Sequence, residues 1–571
     1  MLILGIHSGY HDACAALHRD YRLVAAVAQE RLTRRKIDGG RVPVEAIAEC
    51  LAIAGQPAEA VDAVVLGRGA FPWRYFTHYR GARQVEGRVR QLLGRDKVKS
   101  MERELVRAGH ADSLAIFDAA RFLAEHGLRA GIPVRFFNHH LAHALPTLFH
   151  TDWDAALLCT ADGGGDNEQY SHRLLRDGRL HALQGGDAAL CQPLRIDSLG
   201  LAYGYATQAL GFRINRHEGK LTGLAALGRP VLAPALAAHF RVGQDGRIDS
   251  DFPDYPALKR FVANWAKAAA REDVAASVQL VLEKTMLTSV GRLLARTGVR
   301  HLGLSGGVFA NVRLNQRLAE ELPIDEVFVY PAMSDQGLAA GGILQFLLER
   351  DGLQTWLGER YRLEQLYLGR DQGEAIDRAL AAEAAFRTLP GEPAATAARL
   401  LAEGRIVAIY TKGMEYGPRA LGARSILADP RDAAVNAKLN ARLERSEFMP
   451  FAPVVRAVDA DAVFQLPAAA RYSARFMTVT CGVRPQWRER IAAVVHVDGT
   501  ARPQLIERAA NPLYYDILAA FAERTGVPVL VNTSFNVHEE PIVNTPEQCA
   551  RALAQGRIDC VVSERSVYAR R

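Results

Sequence analysis

Short apolar runs of strand length alternate with alanine- and leucine-rich stretches of helical length along the whole of this 571-residue chain, and that alternation confines the fold to the α/β class. The strand-like runs are Leu2–Ile6, Leu23–Ala28, Val61–Leu66, Ala155–Cys159, His301–Leu304, Glu326–Tyr330, Arg405–Tyr410, Val494–Val497 and Val527–Val531. Between two of them, Pro43 and Gly55 punctuate a helix around Ile47, Leu51 and Ile53. The length exceeds what one core supports, so two large domains are expected. The seam falls near Gln365, where Tyr361 to Gly369 leaves a helix and opens a new alternation; the domains are expected at 1–364 and 365–571. No internal repeat of the 20–50-residue kind is visible. The stretch 71–127 reads as an insertion. There Arg83, Arg88, Arg90, Arg95, Lys97, Lys99, Arg103 and Arg107 form either a solvated face or a docking element for anionic groups.

With 49% apolar and 23% charged residues the composition is that of ordinary globular protein. No run of 18 apolar residues occurs and Leu2–Ile6 has no basic leader, so neither a membrane span nor a signal peptide is expected. The seven cysteines are scattered and never form a CxxC pair, which argues against a disulfide framework or a thiolate zinc site and favours a cytoplasmic location. A net charge of +7 suits anionic ligands but is too dispersed for nucleic acid.

Chemistry concentrates at a few places. His139 and His143 stand four apart, so on a helix they share one face and can share one ion. A strand ending in Asp162-Gly163-Gly164-Gly165-Asp166 follows them. Gly5-Ile6-His7-Ser8-Gly9 and Ser305-Gly306-Gly307-Val308-Phe309-Ala310-Asn311 are two further glycine turns whose backbone amides could approach phosphate, an order that occurs in the split actin-like sugar kinase and chaperone fold. Asp335, in Ser334-Asp335-Gln336-Gly337, could complete a metal site with His139, His143 and Asp162, or simply cap a helix. Two imidazoles and two carboxylates suit Fe(II), Mn(II) or Zn(II) better than Mg(II).

His11-Asp12-Ala13, Glu30 to Lys36, His139 to Ala144, Gly219-Lys220-Leu221-Thr222-Gly223, Ser305 to Val308 and Ser334 to Gly337 resemble, in order and spacing, the NodU/CmcH family of O-carbamoyltransferases. The resemblance implies an actin-like (ASKHA-type) first domain similar to the tRNA threonylcarbamoyl-transfer enzyme and a YrdC-like adenylate-forming second domain. It implies that Mg-ATP and carbamoyl phosphate yield carbamoyl-AMP, whose carbamoyl group passes to a hydroxyl of a small molecule or sugar. It also implies a metal, Fe(II) foremost, at His139, His143, Asp162 and Asp335, adenylate contacts at Lys36, Gly163, Gly164, Lys220, Gly223, Gly306, Gly307 and Asn311, and His11 with Asp12 at the transfer. An imidazole near neutral pKa suits a general base, so His11 is the expected base.

In the second domain Arg419 and Arg424, on Gly417 to Ser425, offer forked donors for phosphate; Arg445, Arg502, Asn532, Ser534, Asn536 and His538 complete the expected carbamoyl phosphate and ATP site. The chain departs from the family at two places. His538 stands where a permanent cation is usual, and Arg442, Glu444 and Arg445 occupy a stretch, Leu439 to Phe451, where a lysine is expected. A threonylcarbamoyl-adenosine synthase acting on tRNA is the enzymatic alternative, and a nucleotide-switched actin-like binding protein the alternative of another class. The hydrogenase-maturation relative is excluded by the missing CxxC repeats. Trp73, Arg74, Tyr75, Tyr79 and Arg80 are the expected wall for a sugar acceptor. No nucleic-acid partner is expected, and a homodimer is compatible with the chain.

Overall fold

The computed structural model describes residues 1–79, 85, 97–109, 112–445 and 449–571. Arg80, Arg83, Arg88, Arg90 and Arg95 of the basic stretch lie outside the described residues, as do Ser446 to Phe448.

Two five-stranded sheets with one topology form the first half of the chain. β1 (Leu2–His7), β2 (Cys14–Arg19) and β3 (Arg22–Ala28) make an antiparallel meander, and β4 (Ala63–Gly67) and β5 (Val134–Phe137) extend it in parallel, giving the order β3-β2-β1-β4-β5. β6 (Ala156–Gly165), β7 (Glu168–Arg176), β8 (Arg179–Gln184), β9 (His301–Ser305) and β10 (Glu326–Val329) repeat the order as β8-β7-β6-β9-β10. This duplicated unit is the actin-like split fold. β1 is buried at every position, as a run of LILGIH flanked by strands on both sides requires.

Residues 71–127 fill the crossover from β4 to β5. They contain an antiparallel pair, Ala70–Pro72 with Val98–Ser100, and the helices α1 (Met101–Ala108) and Ala119–Glu125. Of the expected acceptor wall, Trp73 stacks on Tyr79 at 5.4 Å, Tyr75 is buried against Phe117 and Phe122, and Arg74 is held by Glu125. Tyr75 and Tyr79 belong to the core beneath the first sheet, and Trp73 packs against it partly buried.

α2 (His139–Phe149) and α3 (Leu338–Asp351) lie between the two sheets, crossing closely. A Cβ on Gly341 would stand 1.8 Å from the Ala142 carbonyl oxygen, so the approach requires glycine there.

The second half is built on an eight-stranded mixed sheet, the YrdC-like α/β unit. In chain order its strands are β11 (Phe386–Leu389), β12 (Val407–Tyr410), β13 (Arg424–Ala428), β14 (Ala452–Arg456), β15 (Gln504–Ile506), β16 (Val529–Ser534), β17 (Cys560–Val562) and β18 (Val567–Arg570). In space they run β11-β18-β17-β12-β13-β16-β14-β15. It packs firmly on the first half: Phe328 stacks on Tyr472 at 4.4 Å, the Tyr472 hydroxyl donates to His150 O, and Asn315 donates to Thr478 O. Among the described residues every cysteine is free, and no helix is long and apolar enough to cross a membrane.

Candidate metal centre and the second-domain cleft

The N-terminus of α2 is fixed by an acid and an amide. The Asn138 side chain accepts from Leu141 N at 2.8 Å, and Asp166 Oδ2 accepts from His139 N at 2.7 Å, satisfying amides that a helix start leaves open. From this anchored turn His139 and His143 project together, their ring centroids 4.7 Å apart. Asp162 comes from the end of β6 and Asp335 from the turn that opens α3. One ligand atom from each of the four lies within 4.8 Å of every other. Asp162 Oδ2 is 3.1 Å from His143 Nε2 and 3.4 Å from His139 Nε2; Asp335 Oδ1 is 3.5 and 3.9 Å from the same nitrogens.

Electrostatics favour a cation. Burial works against charge on both acids, yet the surrounding imidazoles hold the carboxyls of Asp162 and Asp335 well below the ordinary range. Burial likewise opposes charge on His139, but the hydrogen bond from Asp162 and the charges of Asp335 and Asp162 push it up to about 9. Protons thus stand in for a divalent ion, and the donor set fits one. The opposite edge of His143 meets Ser305 Oγ at 3.4 Å, which orients the ring. A Cβ on Gly165 would fall 2.3 Å from the His139 ring, so the glycine turn is moulded to it. His140, on the other face of α2, bonds Thr160 Oγ1 and Glu168 O, and burial lowers it to about 3; it is structural.

Two further histidines come from the first sheet. His11 Nδ1 is 3.5 Å from Asp12 Oδ2 and 3.9 Å from Asp335 Oδ2. Burial opposes its charge, but the Asp12 hydrogen bond and the charges of Asp335, Asp12 and Asp162 lift it to about 10. His7, not singled out by sequence reasoning, sits 3.4 Å from Asp335 Oδ2 with neither ring nitrogen hydrogen-bonded. Its position as the last residue of a buried strand, inside a glycine turn, was the available signal. Asp12 accepts from Gln336 and has a positive φ of 53°.

Of the expected nucleotide contacts, Gly163 and Gly164 are open at the turn beside Asp162, and Gly307 lies 3.3 Å, by its Cβ position, from Asp162 Oδ1. Gly306 is packed on the Ala161 backbone. Lys220 and Gly223 lie on the helix Glu218–Ala225. Asn311 is otherwise occupied: its amide caps the helix Val312–Glu321 through Leu314 N and exchanges hydrogen bonds with Gln279.

In the second half, Arg419 is the arginine poised for an anion. Its Nε is buried without a partner, and burial alone lowers the guanidinium to about 10. Arg424 is more deeply engaged. It begins β13 opposite Tyr410, is 0% exposed, donates through Nη1 to Thr411 O, Lys412 O and Ala423 O, and lies 3.6 Å over the Tyr410 ring, while its Nε and Nη2 are also buried without a partner. The five-residue spacing from Arg419 runs from a loop into a strand and places the two side chains in different surroundings. Glu415 shapes that loop by accepting from Leu421 N, Ala423 N and Arg424 N.

Arg445 clamps the end of β16 by donating to Thr533 Oγ1, Ser534 O and Asn536 Oδ1. Asn532 donates to Gln504 and Ala420 O and keeps its Oδ1 buried without a partner. Arg502 is partly buried near His496. Glu444 turns outward to Arg557 at 3.0 Å, so it does not occupy the place of the expected lysine.

The two halves meet at Glu539. Its carboxylate reaches His217 at 2.9 Å, Arg216 at 3.0 Å and Arg213 at 3.2 Å, with His538 Nε2 at 3.7 Å. Lys36 feels the charges of Glu30, Glu539, Arg216 and Arg445, and burial lowers its pKa. Arg34 donates to Pro541 O and Ile542 O, and Arg31 to Gly417 O.

Comparison with known proteins agrees with this arrangement. Residues 2–344 match the profile of the carbamoyltransferase N-terminus and 398–570 that of the carbamoyltransferase C-terminus. The nodulation protein NolNO of Sinorhizobium fredii is 32% identical over 94% of this chain and 75% of its own length. An uncharacterized protein of Synechocystis sp. is 30% identical over 100% of this chain and 96% of its own. Among solved structures, HypF of T. kodakarensis is similar at 14% identity and a TM-score of 0.31, covering 62% of this chain and 48% of its own. With both profiles matched in order over most of its length, the chain belongs to the carbamoyltransferase family and is an O-carbamoyltransferase.

Proposed function

We propose that this enzyme forms carbamoyl-AMP from carbamoyl phosphate and Mg-ATP in the second half and transfers the carbamoyl group to a hydroxyl of a small molecule or sugar in the first. The observation that carries the reading is Lys36, a first-half residue lying in the field of Glu539 and Arg445 from the second half. An acyl adenylate is hydrolytically labile, and a passage bounded by both halves keeps water from it.

Arg419, Arg445 and Arg502, with Asn532, Ser534, Asn536 and His538, bind carbamoyl phosphate and the ATP phosphates. Lys36 takes the adenylate phosphate, and the turn at Gly163 and Gly164, with Gly307, Lys220 and Gly223, holds the nucleotide. His139, His143, Asp162 and Asp335 would hold a divalent ion, Fe(II), Mn(II) or Zn(II) by donor type, which when bound supplies positive charge to polarise the carbamoyl carbonyl. His7 and His11 border that site and orient the carbamoyl group by hydrogen bonding. The protein acts in the cytoplasm, where both donors are available.

Two variants divide the reaction. Arg419→Met should abolish pyrophosphate release, whereas Asp335→Asn should keep it and lose transfer. Loss of pyrophosphate release in Asp335→Asn with Arg419→Met active would refute the assignment.

A further inference from the structure

Beside the metal-ligand cluster, a cavity of about 110 Å³ is lined by His139 and Asp335 and by Tyr10, Arg68, Ser100 and Glu102. Tyr10 is 62% exposed at its rim, although a tyrosine of no function would be expected to pack. Glu102 comes from the insertion, in the first turn of α1, whose start is fixed by the Ser100 hydroxyl accepting from Arg103 N at 3.4 Å.

Three acids line this cavity, and only one is uncommitted. Asp335 is held by histidines. Asp166 spends Oδ2 on Arg68 Nη1 at 2.6 Å and on His139 N at 2.7 Å. Glu102 accepts from Asp166 N through Oε1 at 2.7 Å, while its Oε2 makes no hydrogen bond among the described residues. One oxygen anchors the carboxylate to the same turn that anchors α2, and the other is left for something in the cavity. Arg68 is fixed by Asp166 and by Asp187 at 2.8 Å, so it cannot swing out to neutralise that oxygen. His11, also in the lining, has Nδ1 facing Asp12 Oδ2 at 3.5 Å.

We propose that Glu102 is the catalytic base for the acceptor, and that the cavity between Tyr10 and Glu102 admits the hydroxyl-bearing end of a polyhydroxylated acceptor. The proposal rests on the carbamoyl-adenylate reading above. The acceptor hydroxyl gives its proton to Glu102 as its oxygen bonds to the carbamoyl carbon. The bond from that carbon to the adenylate phosphate oxygen then breaks, its electron pair staying with that oxygen, so that AMP leaves as the phosphate monoester. The insertion thereby delivers the base together with the acceptor. A carboxylate so placed acts within hydrogen-bond reach of the proton it removes, as general-base catalysis demands.

The test compares full-length wild type, Glu102→Gln and Glu102→Asp, each metal-loaded. Carbamoyl-AMP is first formed on the enzyme from ATP and carbamoyl phosphate; concentrated ethylene glycol, small enough for the cavity, is then added as the acceptor probe. Carbamoyl glycol and AMP are followed in a single turnover, and AMP release to water serves as the readout if the glycol is not carbamoylated. Glu102→Gln, whose amide oxygen can still accept from Asp166 N, should slow transfer on the order of 100-fold with metal content and carbamoyl-AMP formation unchanged, and Glu102→Asp should recover part of the rate. Transfer by Glu102→Gln within a few-fold of wild type would overturn the proposal. So would a parallel fall in metal content, which would make Glu102 a support for the Asp166 turn. Absence of carbamoyl-AMP with the wild type would overturn the parent reading, and it is seen before any variant is compared.

Discussion

Arg419 and Arg424 are five residues apart and should behave in opposite ways when replaced by methionine, which keeps the stem and removes the charge. For Arg424 the two short hydrogen bonds, to Thr411 O at 2.6 Å and Ala423 O at 3.0 Å, contribute about 1.5–3 kcal/mol each and the Tyr410 stacking about 2. Removing the unpartnered Nε and Nη2 offsets about 2–4 kcal/mol of that, leaving a net loss of about 3. For Arg419, burial lowers the guanidinium from its ordinary value to about 10, a cost of about 3 kcal/mol at full weight and roughly half that once its remaining exposure is discounted. Arg419→Met should therefore stabilise the ligand-free protein by about 1–2 kcal/mol while abolishing adenylate formation, a trade that functional cations often show. A chain of two large units does not unfold as one state, so the quantity to measure is the difference between the two variants in the thermal midpoint of the transition they affect. At about 2–4 °C per kcal/mol for a unit of this size, the midpoints should differ by roughly 10 °C or more, Arg419→Met above wild type and Arg424→Met below. Equal destabilisation by both would refute the distinction between a receptor for phosphate and a structural cation.

Three other outcomes follow from the geometry. Gly165→Ala places a methyl against the His139 ring, so the folded variant should bind less than one equivalent of metal where wild type binds one, as measured by elemental analysis. In the metal-free state His139 is raised to about 9 and so carries a proton at pH 7; metal must displace it, and apparent affinity should rise about tenfold per pH unit from 7 toward 9, a pH-independent affinity by calorimetry counting against the account. The same raised value stabilises the metal-free fold fully below about 6.5 and ceases to as pH climbs through 9. Glu539→Gln removes the charge that Arg213, Arg216 and His217 share; with this partly exposed group the loss of stability should stay within about 1 kcal/mol, while protease cleavage between the halves should quicken.

Much of the site could be read in the sequence because its chemistry is local. The four-residue spacing of His139 and His143 fixes a shared face wherever the helix lies, and a strand ending in Asp162-Gly163-Gly164 carries a carboxylate to a turn. Asp335 was legible as a fourth ligand or as a helix cap; that it faces the histidines follows from the close crossing of α2 and α3 at Gly341, which no local pattern encodes. The duplication of the first half left no repeat in the sequence, since strand order is kept by pairing while the equivalent crossovers, β3 to β4 against β8 to β9 and β4 to β5 against β9 to β10, differ in length and content. The surroundings of Arg424, Tyr75 and Tyr79 could not be read for one reason: arginine and tyrosine serve both ligand sites and cores, and which of the two is set by partners distant in sequence. Glu102 passed unnoticed amid basic neighbours because its meaning comes from Asp166, 64 residues away.

The most direct test of the account is mass spectrometry of the metal-loaded protein incubated with Mg-ATP and carbamoyl phosphate, beside a control lacking carbamoyl phosphate. The account predicts carbamoyl-AMP and pyrophosphate in the complete mixture alone. Folded, metal-loaded protein that yields neither product would contradict it.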